Sequence, residues 1–114
     1  MICHIADLPV SRSENFKGGE GHVLMKDLSC GKKPANFKVC CEMVLEKGCS
    51  IGFHVHEGDS EIICILEGEG ICTDGGADVP VRAGDAIVCR EGEAHALRNE
   101  CDRPLRYFAF VVAA

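Results

Sequence analysis

Several things are missing from this chain of 114 residues. It has no tryptophan and a single tyrosine, Tyr107, and its aromatics do not interleave with basic residues as a base-stacking groove requires. No Lys/Arg-rich run occurs and the formal net charge is -6, which argues against a partner whose phosphates must be neutralised. The start, MICHIADLPV, lacks a basic stretch followed by a long apolar one, so it does not read as a secretory signal. The longest apolar run, YFAFVVAA, is far short of the roughly 20 residues a membrane helix needs. These absences lead to the expectation of a cytoplasmic protein with neither a nucleic-acid nor a membrane partner. None of the nine cysteines forms a C-x-x-C pair, which removes the strongest zinc and redox signatures. Several sit inside strand-like runs (Cys40, Cys41, Cys64, Cys72, Cys89), where a small buried hydrophobe fits. All nine are therefore expected to be reduced, structural thiols.

Long helical periodicity is missing too. Short apolar-rich runs alternate with turn clusters built on Gly, Asp and Asn, the pattern of an all-β chain. The spacing predicts strands over His22–Leu28, Phe37–Leu45, Ile51–Val55, Ser60–Leu66, Gly70–Thr73, Asp78–Val81, Ala86–Cys89, Ala94–Arg98 and Leu105–Val112. Apolar residues make up 46% of the chain, enough for one core, so residues 21–114 read as a single barrel domain. Residues 1–20 show no regular pattern and read as an N-terminal arm on the barrel or on a dimer partner. In Ile62-Ile63-Cys64-Ile65-Leu66 the apolar character does not alternate, so both strand faces need cover. The arm or a second copy of the chain would supply it, which is the ground for expecting a homodimer.

Against this apolar background, GCSIGFHVHEGDSEIICILEG carries three groups that resist burial. Side chains alternate along a strand, so His54 and His56 share a face, about 6.6–6.8 Å apart at their backbones. Imidazoles so placed can converge on one ion through bonds of about 2.1 Å. Glu61 follows a Gly-Asp turn that brings the next strand alongside, and His95 follows another glycine turn. Three nitrogens and one oxygen would leave an octahedral ion two open positions. The donor set accepts iron, manganese, nickel, cobalt, zinc or copper without choosing among them. The plainer readings are a hydrogen-bonded core histidine and a salt-bridged carboxylate; His4 and His22 fall under the first of these or under surface exposure.

The spacing decides between these readings. The chain resembles the cupin family, whose first motif, G-x5-H-x-H-x(3,4)-E-x6-G, is met by Gly48, His54, His56, Glu61 and Gly68. The second, G-x5-P-x-G-x2-H-x3-N, is met by Gly84, Gly92, His95 and Asn99, with Arg90 in place of the proline. Losing a residue that pre-sets a turn is expected to loosen the approach to His95. The resemblance implies a double-stranded β-helix, or jelly-roll barrel, with one divalent transition metal held by His54, His56, Glu61 and His95. It also implies dimers, and roles for Asn99 and the glycines in turns and packing. If Glu61 points inward, so do Ile63 and Ile65, and Leu97 and Asn99 follow from His95, giving a mainly aliphatic pocket wall. Tyr107, Arg82, Arg90 or Arg98 could anchor a carboxylate, although exposed arginines usually serve only solubility. Glu57 should point away from His56 into solvent.

Family membership does not choose a reaction. The open metal positions suggest a metal-dependent enzyme (dioxygenase, decarboxylase or isomerase type) acting on a small carboxylate, keto or sugar-derived molecule. The absence of a recognisable acid–base partner leaves open a module that binds or senses a small molecule unchanged. A barrel whose metal merely stabilises the fold is the third reading.

Overall fold

A computed structural model describes residues 1–114 and shows two antiparallel sheets closed into a barrel. The strands are β1 (Ser11–Glu14), β2 (His22–Asp27), β3 (Phe37–Leu45), β4 (Ser50–Val55), β5 (Asp59–Glu67), β6 (Glu69–Asp74), β7 (Ala77–Arg82), β8 (Ala86–Cys89), β9 (Ala94–Arg98) and β10 (Leu105–Ala113). The larger sheet runs β1-β2-β3-β10-β5-β8 and the smaller β4-β9-β6-β7. This is the all-β jelly roll expected from the alternating runs. The nine anticipated strands all form, with ends displaced by at most one residue.

β1 is the strand the pattern did not announce. Its sequence SRSE has no apolar alternation, and it joins the sheet edge through backbone pairing with β2, Glu14 opposite His22. A 3₁₀ turn at Phe16–Gly18 then carries the chain across β4. Gly52 on β4 permits that crossing, because a Cβ there would collide with the backbone of Lys17 and Gly19.

Alternation fills the interior. Along β10, Leu105, Tyr107, Ala109 and Val111 are buried, and along β5 Glu61, Ile63 and Ile65 are. Leu45, Val23, Leu97, Cys49 and Cys72 complete the core between the sheets. Cys72 and Cys89 behave as buried apolar groups: burial pushes each thiol up to about 11, so neither is a thiolate at neutral pH. The expectation of nine reduced cysteines needs one correction. Cys3 and Cys30 are joined by a disulfide, because the N-terminal segment folds back to bring their Cα atoms to 6.6 Å. The other seven are free.

The turn before His95 is not loosened by Arg90. The Arg90 N–H donates to Glu93 Oε1 at 2.7 Å, a bond proline could not make, and the Glu93 N–H donates back to Arg90 O at 2.9 Å. Hydrogen bonding thus closes the turn that proline would have preset.

Candidate metal centre

The site is built where β4 meets β9, and a bulge decides which residues face it. Ile51 pairs with Leu97 and His54 with His95, so β4 spends one more residue than β9 between these two pairs. Strict alternation from the inward Ile51 would have placed Phe53 and Val55 inside. The extra residue reverses the parity, turning Phe53 and Val55 out to solvent, 62% and 48% exposed, and His54 and His56 in. His56, just past β4, is pinned by the turn before β9: its N–H donates to Glu93 O and its carbonyl accepts from the Gly92 N–H. Glu61 enters from β5 and His95 from β9.

All four side chains meet. Their donor atoms lie within 4.8 Å of one another, and His56, Glu61 and His95 are buried. The three imidazole centroids form a near-equilateral triangle with sides of 4.8, 4.9 and 5.0 Å. His95 Nε2 is 2.8 Å from Glu61 Oε1, His56 Nε2 is 3.1 Å from the same oxygen, and the two ring nitrogens are 3.2 Å apart. Bonds of about 2.1 Å to a common ion would separate neighbouring donors by about 3.0 Å in an octahedron and about 3.4 Å in a tetrahedron. The three edges among His56, Glu61 and His95 match the octahedral value.

Proton placement tests the same idea. His54 Nδ1 lies 2.7 Å from Gly52 O, and a carbonyl only accepts, so Nδ1 carries the hydrogen. His56 Nδ1 lies 2.6 Å from Asp59 Oδ1, which fixes its tautomer in the same way. In the neutral form of either ring the lone pair is then on Nε2. Burial lowers the His54 pKa, outweighing the Gly52 hydrogen bond, and the neighbouring imidazoles lower it further, so this ring is neutral at pH 7. Ring nitrogens and a carboxylate brought this close need a shared proton or a cation between them. The residues fit a divalent metal.

Support continues behind the ligands. Asp59 takes the His56 hydrogen bond on one oxygen and the Lys38 ammonium, at 2.9 Å, on the other. Burial alone would raise its pKa; the bonds from Lys38 and His56 outweigh it and hold the group below the usual carboxylate range. Nothing in the sequence pattern had marked Asp59, Lys38 or the bulge at Gly52. The one available signal was a glycine inside a predicted strand.

A cavity of about 380 Å³ opens beside the ligands. Ile63 and Leu97 line it as parity predicts, joined by Ile51, Met43, Val39, Val111 and Tyr107; Ile65 and Asn99, expected on the same wall, are buried but lie outside the cavity. Arg82, Arg90 and Arg98 do not; Arg90 pairs with Glu93, and Arg98 with Asp78 and Glu100. Its cations are instead Lys17 and Lys38. Glu57 is exposed, as expected, and stands at the cavity rim.

The family model for the cupin domain matches residues 41–112. The chain is a cupin. An oxalate-binding protein of Thermotoga maritima is 35% identical to this cupin over 113 residues, covering 98% of the chain and 93% of the relative. The crystal structure of a predicted oxalate decarboxylase from Thermotoga maritima is also 35% identical and superposes with a TM-score of 0.94 over the full length of both chains. A sugar phosphate isomerase of the cupin superfamily from Silicibacter pomeroyi, 16% identical, superposes at 0.80 over 100% of this cupin and 76% of that chain; it shows the shared fold alone.

Proposed function

We propose that this cupin binds one divalent transition-metal ion through His54, His56, Glu61 and His95 and uses it to hold a small carboxylate of the oxalate class. The observation that carries the reading is the convergence of acceptor atoms beside a mainly apolar cavity. Three neutral imidazoles and one carboxylate leave a divalent site with a net positive charge, suited to an anion. Lys17 and Lys38 add positive potential along the same cavity. When bound, the ion supplies a Lewis-acidic centre with free positions for carboxylate oxygens. The aliphatic wall keeps the site poor in water, which strengthens each of these attractions. The kinship to an oxalate-binding protein supports the choice of ligand class. Calorimetry on metal-loaded protein should show oxalate binding that disappears after chelation. Equal affinity in the metal-free protein, or no binding at millimolar oxalate, would overturn it.

A second reading, turnover, is favoured by Glu57. Its carboxylate stands at the cavity rim without an ion-pair partner, where a proton donor could reach the ligand. Release of formate and carbon dioxide from hydrogen oxalate, lost in Glu57→Gln with oxalate affinity retained, would establish it. Elemental analysis of protein from its own host identifies the ion.

We further infer that two copies pair across the larger sheet. On its outer face Val88, Ile62, Phe110 and Cys40 lie side by side on adjacent strands, with Val88 57% and Ile62 46% exposed. The row carries no charge, so two such faces meet without repulsion. Light scattering at micromolar concentration should give twice the 12.3 kDa chain mass, and Ile62→Glu should halve it. A monomeric parent would contradict the pairing.

A further inference from the structure

Tyr107 is a polar group among apolar neighbours. It sits on β10 between Met43 of β3 and Ile65 of β5, is 1% exposed, and is the only tyrosine of the chain. Phenylalanine would fill the same space without burying a hydroxyl. The phenol oxygen makes no hydrogen bond within the chain, and only desolvation and the charge of Glu61 act on it. Yet no fully buried side-chain polar atom in the protein lacks a partner. The hydroxyl therefore keeps contact with open space, and the space beside Tyr107 is the metal cavity. The other potential donors there, the two lysines, are engaged, and the Glu57 carboxylate at the rim only accepts. Lys38 and Asp59 hold each other, and the Lys17 ammonium lies over the Phe16 ring, 5.6 Å from its centroid.

We propose that the Tyr107 hydroxyl donates a hydrogen bond to the ligand's free end, the end the metal does not hold. This rests on the metal-dependent carboxylate reading above and makes Tyr107 a ligand-binding residue that selects an acceptor oxygen at that end. Burial in the aliphatic wall raises the phenol pKa, and Glu61 raises it further, so the group stays protonated and acts as a donor. With the ion assigned to His54, His56, Glu61 and His95, the Tyr107 hydroxyl is left to read the ligand. The ligand class that satisfies both anchors is a short dicarboxylate: one carboxylate for the metal, the other for the phenol.

The test is Tyr107→Phe, which removes one oxygen and keeps the ring. Manganese affinity, oxalate affinity and malonate affinity are measured by calorimetry on the parent and the variant, with melting temperature as a check on the fold. The inference expects manganese affinity and melting temperature unchanged, and affinity for oxalate or malonate lowered about tenfold or more. Unchanged affinity for both acids overturns it while leaving the metal-dependent reading intact. Loss of manganese or of the fold in Tyr107→Phe also overturns it, because the ring would then be structural. If the manganese-loaded parent binds neither acid, the carboxylate reading itself fails and takes this inference with it.

Discussion

At one end of the barrel Asn99, 1% exposed, has every polar atom matched: its amide donates to Leu45 O and Arg103 O, and its carbonyl accepts from the Cys101 N–H. At the other end His56, Glu61 and His95, no more than 8% exposed, turn two ring nitrogens and a carboxylate oxygen toward one another. Both ends bury polar groups inside the same two sheets. Asn99 makes a closed unit with the backbone and spends its hydrogen bonds on the fold, with Leu45 and Leu105 sealed beside it. The histidine end has the donor set that a cation would complete. Polar burial therefore marks structure where partners are internal, and a ligand site where acceptors face acceptors.

That contrast can be broken by mutation, and the largest effect should come from His95→Ala. Metal affinity should fall at least a hundredfold, since a binding free energy on the order of 10 kcal/mol is shared among four ligands. The metal-free variant should melt no lower than the metal-free parent; a large loss of stability would show that the imidazoles hold the fold as Asn99 does. Asn99→Ala should do the reverse, costing about 2–3 kcal/mol by orphaning buried backbone groups while leaving metal stoichiometry intact. Denaturant melts and elemental analysis separate the two.

Asp59→Asn sharpens the comparison within the metal end. It should weaken metal binding about 10- to 100-fold by releasing the orientation of His56, measured by competition with a chelator. An unchanged affinity would make Asp59 no more than a partner for Lys38. Acidification acts next. Metal affinity should fall as pH drops through about 6.5, because the ligating rings must be neutral. The metal-free protein should also lose stability below that pH. Burial lowers the His54 pKa in the folded state, so the unfolded chain takes the proton first, and the loss grows as pH falls from about 6.5 through the lowered value. Melting curves from pH 8 to 5 with and without metal separate the two effects. Arg90→Pro should matter least. It exchanges the Arg90–Glu93 hydrogen bond for a preset turn, so the melting temperature should move by less than about 4 °C with metal affinity retained.

Much of this was legible before any coordinates, for local reasons. Gly48, Gly58, Gly68, Gly84 and Gly92 adopt positive φ at chain reversals, so the strand boundaries were written in residue type. The ligand set was legible because its spacing is fixed by strand and turn lengths. β1 was not, because an exposed edge strand needs no apolar alternation. The Cys3–Cys30 bridge was not, since pairing depends on where the N-terminal segment lies. The expectation of a looser turn at Arg90 missed the hydrogen bond from the Arg90 N–H to Glu93, three residues on in the same turn, because residue types alone do not show which side chain folds back on the backbone.

The order of apolar and turn residues, by itself, determined an all-β barrel and nominated three histidines and a glutamate, because periodicity and turn chemistry are properties of neighbouring residues. Only the tertiary structure decided which way those side chains face. One extra residue at Gly52 reversed the parity of β4, Asp59 and the Gly52 carbonyl set the ring protons, and closure of the barrel left Tyr107 with an unpaired hydroxyl beside the cavity. Register, tautomer and enclosure arise from contacts between distant segments, which no local pattern contains.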